Sequence, residues 1–117
     1  ISHAVGRELS VKSIFAERVD GNLVLRRGFN IEKGERVLVV DDVVTTGGSI
    51  YELLDLVAEY GGKVMGVGTL IDRSGEKVDF GVDYKTLVRY NIPTYKPENC
   101  PLCASNIPMT ERGRTGK

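Results

Sequence analysis

The chain has 117 residues, of which 41% are hydrophobic and 27% charged, as is usual for one globular domain. Sixteen basic and sixteen acidic residues cancel, so no overall positive field favours nucleic acid or an acidic membrane surface. No stretch approaches about 18 consecutive apolar residues and none resembles a signal peptide, so we expect a cytoplasmic protein with neither a membrane nor a nucleic-acid partner.

The first ten residues predict a helix, because apolar side chains recur there at near-helical spacing: Ile1, Ala4, Val5 and Leu9. The chain begins inside this pattern with Ile1, and we therefore expect it to lack the N-terminal portion of its domain. The one histidine, His3, is assigned no catalytic or metal-binding role.

The next segment alternates between apolar and polar residues over 11–16 (VKSIFA), which predicts a short strand. Residues 17–29 (ERVDGNLVLRRGF) then predict a hairpin or a long mobile loop, with its turn at Asp20-Gly21-Asn22. Its basic side chains are Arg18, Arg26 and Arg27. A turn at Lys33-Gly34 leads into the next strand.

The most informative stretch is 36–52, RVLVVDDVVTTGGSIYE. An apolar strand ends in Asp41 and Asp42, a loop of small and hydroxylated residues covers 43–48, and an amphipathic helix starts at Ser49. The N-terminus of a helix attracts anions, and adjacent carboxylates accept hydrogen bonds from ribose hydroxyls or hold hydrated Mg²⁺. In an ordinary strand-turn-helix these acids would be left uncompensated. The stretch therefore predicts a sugar-phosphate site, and the sequence contains no P-loop motif.

The helix over 49–60 presents an apolar face made of Ile50, Leu53, Leu54, Val57 and Ala58. Ser49 and Glu52 fit a capping box at its start, and Gly61-Gly62 fits its end.

A strand over 63–71 follows, apolar enough to be buried on both faces of a parallel sheet. It ends in Asp72-Arg73-Ser74-Gly75, which places Arg73 on the same edge of the sheet as Asp41 and Asp42. A salt bridge at the strand end is the plain alternative for Asp72-Arg73.

The C-terminal third predicts a short helix over 84–90 with Leu87 and Val88 as its apolar contacts, an edge strand over 92–95 containing Pro93, and a disordered tail over 110–117. Cys100 and Cys103 form half of a zinc site. We interpret them as reduced structural thiols, with an intermolecular metal site as the alternative.

The segment VLVVDDVVTTGGS resembles the phosphoribosyl-diphosphate (PRPP) signature of the type I phosphoribosyltransferases. That resemblance implies an α/β fold, with a parallel Rossmann-like sheet flanked by helices, and makes residues 1–117 the C-terminal part of one such domain. Three further segments, FAERVDGNLVLRRGF, TLIDRSG and PENCPLC, resemble the short orotate phosphoribosyltransferases of prokaryotes.

The resemblance implies transfer of the phosphoribosyl group of PRPP to orotate, with Mg²⁺, in a homodimer. It implies that PRPP is bound by Asp41, Asp42, Val43, Val44, Thr45, Thr46, Gly47, Gly48 and Ser49. Orotate would contact Thr45 and Arg73. The catalytic cations over the pyrophosphate would be Arg18, Arg26 and Arg27, although some relatives carry a lysine and a histidine in this loop. Because the family's pyrophosphate-binding loop lies before the equivalent of Ile1, we expect residues 1–117 alone to have at best weak activity.

Two alternatives remain open at this point. A purine or uracil salvage phosphoribosyltransferase would share residues 41–49 but would need Arg73 less. A regulatory RNA-binding protein that senses PRPP would have the same fold, but a net charge of zero argues against it.

Overall fold

The structure is a computed structural model that describes residues 1–75, 78–93 and 95–107. Its elements are α1 (Ser2–Leu9), β1 (Ala16–Val19), β2 (Asn22–Leu25), β3 (Arg36–Val44), α2 (Gly48–Glu59), β4 (Lys63–Asp72), β5 (Tyr84–Arg89), a 3-10 turn (Pro97–Asn99) and α3 (Pro101–Ala104). None of the described helices is long and apolar enough to cross a membrane.

The main sheet has the strand order β3-β4-β5, and both neighbouring pairs are parallel. β3 and β4 are connected through α2, as parallel neighbours require a crossover. The predicted order of strand, helix and strand is therefore confirmed. It brings the carboxyl ends of β3 and β4 to one edge, where Val44 pairs with Asp72.

The core lies between α2 and the sheet, and its buried members are Ile31, Val39, Val44, Ile50, Val57, Val67 and Phe80. Ile50 and Val57 come from the predicted apolar face of the helix, and Leu53 and Leu54 are half-buried against the core. The prediction is wrong for Ala58, which is exposed, while Leu56 is buried instead. The inward face is thus rotated slightly from the one that spacing indicated.

The face of the sheet away from α2 is partly open. Leu38, Met65 and Leu70 are 46%, 41% and 41% exposed. The prediction that the strand over 63–71 is buried on both faces is therefore wrong among the described residues. Apolar composition alone did not distinguish one covered face from two.

The hairpin prediction is confirmed: β1 and β2 pair antiparallel around a turn at Asp20-Gly21, where both residues have positive φ. The predicted strand over 11–16 is wrong, because the ladder begins only at Ala16. Phe15 instead packs its ring against Phe29, with centroids 5.1 Å apart. Side-chain packing takes the place of strand pairing there.

The predicted helix over 84–90 is wrong, because Tyr84–Arg89 forms β5. Tyr84 and Thr86 are half-buried while Lys85 and Leu87 are exposed, an alternation with the period of a strand. Six residues are too few for their sequence pattern to distinguish a helix from a strand. Pairing with β4 therefore decides their conformation.

The predicted edge strand over 92–95 is also wrong at its described residues, 92, 93 and 95, which have no regular structure. The predicted disordered tail over 110–117 lies outside the described residues. The helix predicted from the first ten residues is confirmed by α1, which ends at Ser10 in the left-handed conformation.

Candidate functional site

Two carboxylates lie at the carboxyl end of β3, which continues through them to Val44, so the predicted loop over 43–48 begins two residues later. Asp41 is half-buried and Asp42 is exposed. The Asp42 N–H donates to Asp41 Oδ1 at 2.9 Å, and the Val43 N–H donates to Asp42 Oδ1 at 2.8 Å. Each acid is therefore oriented by the backbone while its second oxygen receives no N–H from the described residues.

The pKa of Asp41 is raised above its ordinary value. Burial is the main cause, and the neighbouring Asp42 charge adds to it, against the lowering effect of the Asp42 N–H. A half-buried acid beside a second acid is stabilised when a cation or hydroxyl donors approach. The strand end is thus suited to a polyol or to a hydrated metal ion.

The loop after β3 is short and ends at Gly47, the N-cap of α2, with a φ of 84°. A Cβ atom at Gly47 would lie 3.0 Å from the Tyr51 ring and 3.1 Å from both Phe80 and Val78. The chain therefore requires glycine here for conformation and for space. The first turn of α2 begins in the exposed segment that carries Thr45, Thr46 and Ser49, where unpaired N–H groups can bind an anion.

The predicted capping box is wrong. The helix starts at Gly48, no side chain caps it, and Glu52 pairs with Arg18 instead of with the helix start. Left-handed Gly47 begins the helix one residue early, so Ser49 lies inside the first turn. Its hydroxyl is left for an outside ligand.

The three hairpin arginines separate into two groups. Arg18 lines a cavity of about 580 Å³ together with Asp41, Asp42 and Ser49. Its Nη2 lies 2.7 Å from Glu52 Oε2 on α2, and its Nη1 donates to the Gly21 carbonyl.

Arg26 and Arg27 lie elsewhere on the hairpin. Arg27 Nε is 2.5 Å from Glu17 Oε1, and Arg26 Nη1 is 3.8 Å from Glu17 Oε2. The Arg27 guanidinium also lies 5.8 Å from the centroid of the Phe15 ring. The structure therefore places Arg18 in the cavity that the two acids line, and it places Arg26 and Arg27 in a cluster around Glu17.

Arg73 follows β4, and its backbone N–H donates to the Val44 carbonyl at 2.7 Å. This bond places Arg73 beside the residue that precedes Thr45, on the predicted edge of the sheet. The Arg73 side chain is exposed and does not line the cavity that contains Arg18.

Asp72 is the polar residue that sequence reasoning missed, since we treated it only as a partner for Arg73. It is 3% exposed, accepts the Ser74 N–H at 2.8 Å, and lies 3.6 Å from Arg89 Nε on β5. Burial raises the pKa of Asp72, but the Ser74 N–H, the nearby hydroxyls of Ser74 and Tyr84 and the Arg89 charge bring it below its ordinary value. An acid directly after a buried strand was the available indication.

Cys100 and Cys103 are free thiols around the start of α3, the first half-buried and the second exposed. Hydrogen bonds from the Cys103 backbone and thiol lower the pKa of Cys100. In the described part of the chain, no group of three or more His, Cys, Asp or Glu side chains could hold a metal ion.

Comparison with curated sequences gives similar proteins over nearly the whole chain. An orotate phosphoribosyltransferase of Caldanaerobacter subterraneus subsp. tengcongensis is 53% identical over 113 residues, which are 97% of this chain and 60% of that protein. One of Thermotoga maritima is 52% identical over 116 residues, covering 99% and 62%. The chain thus spans about three fifths of the length of these curated relatives.

Solved structures show the same fold. Adenine phosphoribosyltransferase of Saccharomyces cerevisiae matches 73% of this chain and 57% of its own, with a TM-score of 0.59 and 17% identity. UMP synthase of Leishmania donovani matches 74% of this chain and 20% of its own, with a TM-score of 0.59 and 27% identity.

The family model described as the phosphoribosyl transferase domain matches residues 3–92, a segment that contains β3, the acids, the loop after them and Arg73. The fold class predicted from the sequence is confirmed by this match and by the parallel sheet. The chain belongs to the phosphoribosyl transferase domain family.

Proposed function

We propose that this protein transfers the phosphoribosyl group of PRPP to orotate. A ring nitrogen of orotate forms a bond to the anomeric carbon of the ribose as the carbon–oxygen bond to pyrophosphate breaks, and the proton of that nitrogen is released. The products are orotidine 5′-phosphate and pyrophosphate, a step of pyrimidine synthesis. The proposal rests on the pair Asp41 and Asp42, which a short loop joins to a helix start at left-handed Gly47 whose N–H groups suit an anion.

The geometry supports contacts of different residues with the three parts of PRPP: its ribose, its 5′-phosphate and its pyrophosphate. The two acids suit the ribose hydroxyls, and the N–H groups and hydroxyls of residues 45–49 suit the 5′-phosphate. Arg18 suits the pyrophosphate, because it alone of the three hairpin arginines shares a cavity with the acids. A preorganised cation at the leaving group is the kind of electrostatic stabilisation that contributes most to catalysis. Arg26 and Arg27 then act on the hairpin through Glu17.

Orotate is distinguished from other bases by its carboxylate. Arg73 lies on the same edge as the phosphate loop, tied there through Val44. A guanidinium binds a carboxylate in a fork, which fixes orientation as well as adding free energy. The identity of about 52% to proteins named orotate phosphoribosyltransferase supports the same acceptor.

Mg²⁺ fits the donor set. Magnesium is usually held by one or two carboxylates together with substrate phosphates and water, and less often by a cage of protein ligands. Asp41 and Asp42 offer two such carboxylates, and since burial raises the pKa of Asp41, a bound cation would stabilise its charged form. When bound, the ion would neutralise charge on the leaving pyrophosphate.

The proposal also includes a cytoplasmic homodimer, by analogy with the family that the sequence resembles. The balance of sixteen basic and sixteen acidic residues supports a small-molecule role over nucleic-acid binding. Sedimentation equilibrium tests the dimer directly: a mass of one chain at micromolar concentration contradicts it.

Titration calorimetry tests the function. PRPP with Mg²⁺ is titrated in one experiment, and orotate, uracil or adenine is titrated in another into protein that holds Mg²⁺ and pyrophosphate in place of PRPP, so that no transfer occurs. We expect orotate to bind at least tenfold more tightly than either other base. Arg73→Ala should weaken orotate at least tenfold and leave PRPP unchanged, since a charge-assisted pair is worth about 1.5–3 kcal/mol.

Arg36→Ala is the matched control, because Arg36 is an exposed arginine at the amino end of β3, opposite the site. It should change neither affinity. A preference for adenine or uracil, or unchanged orotate binding in Arg73→Ala, would contradict the assigned acceptor.

A further inference from the structure

We propose that Glu52 is a positioning residue that holds Arg18, and with it the β1–β2 hairpin, over the cavity that contains Asp41 and Asp42. The inference rests on the proposed function, since it gives Arg18 the pyrophosphate of PRPP. Glu52, a residue on the surface of α2, would thus contribute to pyrophosphate binding through Arg18.

The hairpin needs such an anchor. β1 and β2 form a two-stranded sheet that is separate from β3-β4-β5. An isolated two-stranded hairpin is marginal in water, so its position depends on contacts with the rest of the domain. Leu25 packs against the core from one end of β2. At the other end of the hairpin, the Arg18–Glu52 pair is the one ion pair between the hairpin and α2 among the described residues.

Arg18 is held at two points and retains donors for a ligand. Its Nη2 lies 2.7 Å from Glu52 Oε2, and its Nη1 donates to the Gly21 carbonyl in the hairpin's own turn. A guanidinium has five N–H donors in one plane, so two contacts leave others directed away from these acceptors. Arg18 lines the same cavity as both acids, and the proposed function gives the pyrophosphate to its remaining donors.

Glu52 could also act in the opposite sense, by competing with pyrophosphate for Arg18. Two magnitudes decide between these effects. Fixing the Arg18 side chain in advance is worth at most about fivefold in affinity, because an ion pair as exposed as Arg18–Glu52 contributes up to about 1 kcal/mol. Repulsion between Glu52 and a phosphate across the guanidinium, about 7 Å away in water-like surroundings, costs about threefold per unit of charge without salt and about 1.5-fold at physiological salt. Positioning is therefore the larger effect.

Binding of inorganic pyrophosphate with Mg²⁺, measured by calorimetry, tests the inference without requiring turnover. Glu52→Gln keeps the shape of the side chain and removes its charge, and we expect it to weaken pyrophosphate binding about two- to fivefold. In an Arg18→Gln background the same substitution should have no further effect, because Glu52 acts through Arg18. Glu59 is also an exposed residue of α2, so Glu59→Gln is the control. It should change the affinity for pyrophosphate by no more than about 1.5-fold, which is about the reproducibility of the titration.

Tighter pyrophosphate binding by Glu52→Gln would overturn the inference, because it would make Glu52 a competitor. An equal loss in the Arg18→Gln background would overturn it as well, because Glu52 would then act independently of Arg18.

Amide hydrogen exchange separates this inference from the proposed function. Glu52→Gln should speed exchange of the ladder amides of β1 and β2 at least threefold while those of β3 and β4 stay unchanged. If the unaltered protein binds no pyrophosphate, the proposed function fails. Faster hairpin exchange in Glu52→Gln would still support the anchoring, and unchanged exchange would overturn it.

Discussion

Asp41 and Asp42 are neighbours in sequence but differ in their surroundings. Asp41 is half-buried beside Thr69 of β4, whereas Asp42 is exposed. Burial raises the pKa of Asp41, so at neutral pH its charge opposes folding in the absence of a ligand. A carboxylate kept in such a place at the expense of stability indicates a binding role.

Asp41→Asn should therefore stabilise the unliganded protein by up to about 1 kcal/mol at pH 7, the scale of one repulsion between charges 4 Å apart in water. Because the pKa of Asp41 is raised in the folded protein, the stability that its protonated form contributes is present below its unfolded pKa. That contribution is lost as the pH rises through its folded pKa. Urea unfolding at pH 7 and at pH 4 measures both effects. The gain should shrink at the lower pH, and a less stable variant at pH 7 would contradict the account.

The pKa of Asp72 changes in the opposite direction from that of Asp41. Its folded pKa is lowered, so its contribution is present above the unfolded value and is lost as pH falls through the folded value. Asp72→Asn should cost about 2 kcal/mol at pH 7, because a buried carboxylate that accepts the Ser74 N–H and faces Arg89 is replaced by a neutral amide.

Asp79→Asn is the matched control for that unfolding experiment. The Asp79 carboxylate also accepts an N–H two residues on, from Gly81, but Asp79 is exposed. It should change stability by less than about 0.5 kcal/mol. Equal effects of the two substitutions would show that burial of Asp72 is not what matters.

At the scale of elements, the segment from β3 to β4 was predictable because two periodicities meet there. A run of branched apolar residues, a helical repeat and a second apolar run leave one arrangement, and the structure has it. The start of α2 was less predictable. Ser49 and Glu52 satisfy the pattern of a capping box, but that pattern does not reveal that Gly47 takes a left-handed conformation or that Arg18 approaches from the hairpin.

Gly47→Ala should lower stability by about 2–3 kcal/mol, with about 1 from the left-handed conformation and the rest from contact with Tyr51, Phe80 and Val78. It should also weaken PRPP, since the helix start moves. Gly21→Ala isolates the conformational part, because Gly21 has a φ of 85° and nothing within 4 Å of an added Cβ. Thermal unfolding of the two variants measures the difference, and equal losses would contradict crowding at Gly47.

At the scale of the whole molecule, what the sequence left undetermined depends on contacts distant along the chain. Tyr84–Arg89 is too short for its own pattern to decide between helix and strand, and pairing with β4 decides it. Arg18, Arg26 and Arg27 were indistinguishable as three cations in one loop. Their environments differ only in the folded hairpin, because Arg26 and Arg27 form ion pairs with Glu17 whereas Arg18 forms one with Glu52.

The fold explains why the candidate site residues lie at one edge of the sheet. Parallel strands bring Val44 and Asp72 into register, so the segments that follow them, 45–47 and 73–75, emerge side by side. The hairpin then adds Arg18 from the side of α2. The proposed PRPP site at residues 41–49 and the proposed orotate contact at Arg73 lie at this edge, and ligands usually bind at the carboxyl ends of strands in open α/β sheets.

Backbone amide NMR of the protein titrated with PRPP and Mg²⁺ tests whether PRPP binds at residues 41–49. We expect the largest chemical-shift changes at five amides of the loop and helix start: Thr45, Thr46, Gly47, Gly48 and Ser49. Unmoved amides in this loop at saturating PRPP, or largest shifts at a distant element such as α3, would contradict PRPP binding at these residues.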